Sequence, residues 1–259
     1  YQQIIEKVFF RHFRKGASEV EFTRDDIRSV AEELGIDLPK NIGDLIYSFR
    51  FRSKLPQSVQ AKAPEGTEWV ILLAGQGRYR FTGRAQGEIT PNAQLTHTKV
   101  PNATPGMIDM YALTDEQSLL AKLRYNRLID IFTGVASYSL QSHLRTTAPD
   151  VGQVETDEVY VGLDRGGNHY VFPVQAKGGS DKLSIVQIEQ DLAVCADKFA
   201  TLICRPIAAQ FMADDLIALF ELEQTDEGVK VAREMHYRLV PPEEISEQDL
   251  SNYRNRLPS

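Results

Sequence analysis

The stretch VETDEVYVGLDRGGNHYVFPVQAKGG, residues 154–179, reads as two β-strands joined by a Gly-rich turn and leading into a helix. In residues 155–163 the apolar side chains of Val159, Val161 and Leu163 recur with a period of two, and Glu155 and Asp157 fall on the same face. Carboxylates are thereby set in line with a face expected to be buried. In residues 170–177, Gln175 and Lys177 point one way while Val174 and Ala176 point the other. The turn from Asp164 to Asn168, with Gly166 and Gly167 inside it, lays the two strands side by side.

A plain solvated hairpin does not explain polar groups on strands that otherwise run apolar. A carboxylate, a carbonyl oxygen and an ammonium converging at one sheet edge can hold a hard divalent cation and orient a water beside a phosphate. Mg²⁺ takes oxygen ligands, keeps several waters, and needs only one or two protein ligands besides substrate phosphate oxygens. The cation lowers the pKa of bound water, and a lysine adds positive charge where negative charge develops. This is the equipment of a metal-dependent phosphodiesterase.

Asp157, seventeen intervening residues, then Gln175-Ala176-Lys177 closing an apolar strand and opening into a helix resembles the PD-(D/E)xK nuclease signature. The run Phe172-Pro173-Val174-Gln175-Ala176-Lys177 is similar to the Gln-x-Lys variant of Mrr-like restriction endonucleases. The resemblance covers roughly residues 115–224. It implies that Asp157 and Gln175 bind the metal, that Lys177 is the catalytic lysine, and that the cofactor is Mg²⁺, with Mn²⁺ able to substitute. Thr156 stands where the motif has proline, and Glu158 beside Asp157 is a further catalytic candidate and the alternative acid. An amide at 175 offers a metal a neutral oxygen in place of a charged one, so the resemblance implies weak metal binding that Gln175→Glu would relieve.

With 259 residues, 42% hydrophobic and 25% charged, the composition is that of an ordinary globular protein of one or two domains. No apolar run reaches the roughly 18 residues of a membrane span, and no signal peptide is evident at the amino terminus, so no membrane partner is expected. Cys195 and Cys204 lack ligand-like spacing, which fits a reducing cytoplasmic setting. The net charge of −7 divides unevenly: residues 1–86 carry 14 Lys and Arg against 11 Asp and Glu, a net of +3, leaving −10 for the rest. Within residues 40–84 eight basic residues face three acidic ones, a patch suited to a phosphate backbone.

In chain order, residues 2–14 carry a helical apolar face, and residues 20–22 are a short extended piece. Thr23 is suited to cap a second helix that ends at Gly35. A third helix is expected from about Pro39 to Arg52, followed by a β-hairpin over residues 68–84. This order resembles a winged helix. The third helix, with Arg50 and Arg52, holds the recognition position, and Arg78, Arg80 and Arg84 share one face of the second wing strand opposite Tyr79 and Phe81. These five arginines are the candidate DNA contacts. Residues 87–114, rich in Pro, Thr and Asn, read as a linker. Helices are expected over residues 115–133 and 137–146, and again after Ser180 or Asp181. Strands follow over residues 202–210, 216–223 and 229–240. Asn126, Asp130, His143, Arg145 and Gln187 are lesser candidates for reaching the site.

The expected architecture is α/β: an amino-terminal winged helix (α+β), residues 1–86; a linker, residues 87–114; and a restriction-endonuclease-like α/β domain, residues 115–259, with a central mixed sheet flanked by helices. The expected activity is Mg²⁺-dependent cleavage of double-stranded DNA, as in a type II-like restriction endonuclease acting as a homodimer. A repair or junction nuclease uses the same parts. A winged-helix regulator with an inactive nuclease-like domain is the other class.

Overall fold

The computed structural model describes residues 1–51, 53–84, 88–112, 115–149, 151–178, 183–212, 216–226 and 228–256. The chain opens with α1 (Gln2–His12), β1 (Glu19–Thr23), α2 (Arg24–Leu34), α3 (Ile42–Phe51), the single turn α4 (Gln57–Gln60), β2 (Glu68–Leu73) and β3 (Arg78–Arg84). Thr23 caps α2 as its sequence predicts. Its hydroxyl accepts the Asp26 N–H at 3.2 Å, and the Asp26 carboxylate accepts the Thr23 N–H at 2.8 Å. Gly35 closes the helix in the left-handed region, φ 62°.

The three strands form an antiparallel sheet in the order β1-β3-β2, so β3 is its middle strand rather than an edge. Tyr79 and Phe81 point from β3 into a core with Phe9, Phe22 and Trp69, and the arginines of β3 face away from it.

β4 (Glu88–Ile89), β5 (His97–Pro101) and α5 (Gly106–Tyr111) follow, then α6 (Asp115–Tyr125), α7 (Leu128–Thr133), β6 (Ala136–Ala148), β7 (Gly152–Leu163) and β8 (His169–Lys177). The chain continues through β9 (Leu183–Ser184), α8 (Ile185–Lys198), β10 (Ile203–Cys204), β11 (Ile207–Phe211), β12 (Leu216–Thr225) and β13 (Gly228–Val240). A 3₁₀ turn at Pro242–Glu244 and α9 (Glu247–Arg254) end it.

The second unit is a mixed eight-stranded sheet in the order β5-β13-β12-β11-β8-β7-β6, with β10 also paired to β8. The ladders of β8 with β10 and β11, and of β5 with β13, are parallel; the remaining ladders are antiparallel. Leu119, Leu123, Leu128 and Phe132 of α6 and α7 cover one face, packing on Val174, Ala176, Ala209 and Leu219. Ile185 and Ile188 of α8 cover the other, against Ala208, Ala218 and Phe220. Both faces are buried, which is why these central strands read as nearly unbroken apolar runs.

Three expectations are corrected. Residues 137–146 form an edge strand instead of a helix. Tyr138, Leu140 and Leu144 recur at even spacings only, and β7 pairs with the segment from Ala136–Leu163 to Ala148–Gly152, with a bulge at Leu140 and no partner at His143. Residues 87–114 are more than a linker, because β5 supplies an edge strand paired from His236–His97 to Val240–Pro101. The helix expected after Ser180 or Asp181 is capped by Ser184, whose hydroxyl accepts the Val186 N–H at 3.3 Å; Ser180 and Asp181 themselves lie outside the described residues. Among the described residues no helix is long and apolar enough to cross a membrane.

Candidate active site

β7 and β8 run paired from Leu163–His169 to Glu158–Val174, and there the ladder ends. Asp157 is the next residue, and its Oδ2 accepts the Ala176 N–H at 2.8 Å across the opening gap. Lys177 Nζ lies 3.8 Å from the same oxygen and 3.1 Å from Oε1 of Glu116 in the first turn of α6. Burial pushes the Asp157 carboxyl up to about 6, against the pull of the Lys177 ammonium. Burial also works against the charge on Lys177, but Asp157 and Glu116 together hold its ammonium above the ordinary lysine value. The site therefore sets a lysine held cationic by its neighbours against a carboxyl whose charge burial opposes.

The period of two expected across residues 155–163 breaks at Asp157. Val154 packs on Val194 and Thr156 bonds Asp191, both on α8. Glu158 and Tyr160 point to the opposite face, toward α6. Glu158 is fully buried there, where the Arg124 guanidinium donates to its Oε1 at 3.1 and 2.7 Å and the Ser139 hydroxyl also donates. All three donors converge on Oε1, while Oε2 is buried and accepts no hydrogen bond from the described residues; these contacts take Glu158 out of the site. The side chains on the two sides of Asp157 thus serve different faces, and Asp157 alone points along the gap.

Gln175 faces α8, and its amide is held inside the protein. Its Nε2 donates to Asp191 Oδ2 at 2.9 Å and to the Glu155 carbonyl at 3.3 Å, and its Oε1 accepts from Gln187 Nε2 at 3.2 Å. The Thr156 hydroxyl donates to the other Asp191 oxygen at 2.5 Å. Asp191 is fully buried, and burial pushes its carboxyl up to about 7. Asp191 and Glu116 were not singled out from the sequence. The signal for Asp191 was present: it sits between Ile188 and Cys195 at helical spacing, an acid inside the apolar stripe of α8.

Asp157, Glu116, Glu155, Lys177 and Gln187 line a cleft of about 800 Å³ whose other wall is the amino-terminal unit, including Tyr47 and Arg50 of α3. His143 and Arg145 of β6 also reach this cleft, whereas Asn126 and Asp130 are spent on the backbone N–H groups of Ala103 and Ser137. Arg50 is half-buried, donates to the Ile71 carbonyl at 3.3 Å, and is lowered to about 10 by desolvation. Arg78 is exposed, Arg80 pairs with Glu19 at 3.2 Å, and Arg84 pairs with Glu189 of α8 at 3.0 Å. Arg84 thus ties the two units together and is not open to a ligand as the sequence suggested. Arg52 lies outside the described residues.

Among the described residues no three His, Cys, Asp or Glu side chains converge as a metal cage. A Mg²⁺ that keeps its waters does not need one. The cleft-facing donors are hard carboxylate oxygens; Gln187 lines the same cleft, and its Oε1 atom is buried and accepts no hydrogen bond from the described residues. The donor set fits such an ion through Asp157, while Gln175 itself is 1% exposed and lies behind Gln187. No protein-family model, curated protein or solved structure matches the chain.

Proposed function

We propose that the chain is a Mg²⁺-dependent DNA endonuclease of the PD-(D/E)xK type, in its Gln-x-Lys form. The observation that carries this reading is the Lys177 ammonium 3.8 Å from the Asp157 carboxylate, where two paired strands part at the floor of a cleft. A bound Mg²⁺ would supply an activated water and neutralise charge on the phosphate. Asp157 would hold the cation by the carboxylate oxygen that Ala176 leaves open. Lys177, anchored between Asp157 and Glu116, would face the scissile phosphate and stabilise the negative charge that grows on it. Burial of both groups strengthens these interactions relative to water.

The amino-terminal unit is read as a winged helix on the support of its three helices and its β1-β3-β2 sheet. Its α3 faces the cleft, so Tyr47 and Arg50 would meet DNA beside the cutting site, and Arg78 would meet the flanking backbone. A type II-like restriction role on duplex DNA, with a homodimer for double-strand cleavage, follows from the resemblance. The second reading, a DNA-binding regulator without catalysis, is favoured by one observation: the Gln175 amide is engaged entirely by Glu155, Gln187 and Asp191.

Plasmid nicking with and without Mg²⁺ tests the proposal, using wild type and Lys177→Ala. Wild type is expected to nick only with the metal, and Lys177→Ala to bind DNA while losing about 10²–10³ in rate, the usual cost of one transition-state donor. Nicking by the variant at the wild-type rate would overturn the assignment. A metal-loaded wild type that binds DNA and never cuts supports the regulator.

A further inference from the structure

We infer that Gln187 is the second oxygen donor of the metal site, and that Gln175, in the motif's ligand position, instead orients it. The inference rests on the nuclease reading above. Its warrant is the direction of a chain of hydrogen bonds. Asp191 Oδ2 and the Glu155 carbonyl are both acceptors, so the group of Gln175 that faces them is its NH₂, at 2.9 and 3.3 Å. The Gln175 carbonyl oxygen is then turned the other way, where it takes a proton from Gln187 Nε2 at 3.2 Å. Gln187 has its own amide polarity fixed in turn, and its Oε1 is the free end of the series.

That terminal oxygen is buried, accepts no hydrogen bond from the described residues, and belongs to a side chain 8% exposed on the wall of the cleft shared with Asp157 and Lys177. A buried carbonyl oxygen without a donor is destabilising, because it has lost water and gained no partner. A hard cation or its bound water satisfies such an oxygen, and an amide carbonyl is an ordinary ligand for one. Asp191 has a partner on each oxygen, Thr156 and Gln175, and is sealed from the cleft. The Glu155 carbonyl, which can only accept, is the fixed end that sets the direction of both amides. The substrate side of the site is thus completed from α8, by a residue twelve positions after the one in the motif.

The test is Mn²⁺ binding without DNA, followed by electron paramagnetic resonance and titration calorimetry, on wild type, Gln187→Met, Gln187→Glu and Asp157→Asn. Methionine keeps the length of the side chain and removes the oxygen. Gln187→Met is expected to weaken Mn²⁺ binding about 10-fold or more, and Gln187→Glu, which adds charge at the same place, to tighten it. A Gln187→Met protein that binds Mn²⁺ like wild type while Asp157→Asn does not would overturn the inference and leave the nuclease reading intact. If Gln187→Met fails to fold, a Gln187→Glu protein whose affinity and Mn²⁺ spectrum match wild type overturns it equally. Wild type that neither binds Mn²⁺ nor nicks DNA overturns both.

Discussion

Asp191 shows how a single buried acid links stability to pH. Its folded-state value near 7 lies above the ordinary aspartate value of 3.8, because burial disfavours the charge. Between about pH 4 and 7 the folded protein keeps a proton that the unfolded chain has released. This stabilisation is complete below the unfolded value and is lost as pH rises through 7. Asp191→Asn titrates nothing, and its amide can still donate to Thr156 and accept from Gln175. The variant is therefore expected to gain on wild type as pH rises, by up to a few kcal/mol at pH 8, in denaturant melts of the metal-free protein at pH 5 and pH 8. Equal differences at the two pH values would show that Asp191 is ionised throughout. At this scale the sequence marked Asp157 and Lys177 by residue type alone, as polar groups on apolar strands, and the structure sets them 3.8 Å apart although the strand period breaks at Asp157. The sequence could not reveal that Asp191 stands against Gln175, because helix and strand meet only in the fold. Gln175→Glu, nearly isosteric on paper, would set a second carboxylate against that buried acid.

The elements were legible where their pattern was local. The cap at Thr23, the aromatic back of β3 and the turn after Leu163 all follow from residues within a few positions of each other. β6 was not, since its partner decides its form: polar residues with scattered apolar ones satisfy either period until β7 is laid beside them. Gly162 shows the demands of that pairing. A Cβ there would stand 2.7 Å from Val135 Cγ1 and 2.9 Å from Phe172 Cε2, closer than real contacts allow. Gly162→Ala is expected to cost about 1–3 kcal/mol through overpacking, measured by urea denaturation, although its strand φ suits any residue. A variant as stable as wild type would mean that Val135, just before β6, and Phe172 of β8 shift apart freely at this point.

Across the whole molecule, the division of charge was legible and the part of residues 97–101 in the second sheet was not. A stretch rich in Pro and Asn reads as a connector until β13 is seen to need it. Among the described residues the units meet where Arg84 pairs with Glu189 and where Leu73 packs at Gly152, at which a Cβ would lie 3.1 Å from the leucine. A protein begun at residue 115 is expected to lose β5 and expose the backbone edge of β13 over residues 236–240. Size-exclusion chromatography should show it associating, whereas one begun at residue 88 should remain dispersed; a dispersed 115–259 piece would show that β13 tolerates a bare edge.

The β5 ladder also has a consequence for inheritance. An amino-terminal unit can pass between proteins as a cassette, by recombination anywhere in a tolerant spacer. Here a crossover anywhere from residue 97 to 101 would bring in a foreign strand to lie beside β13, so the joint available for such an exchange lies upstream, before the edge strand begins.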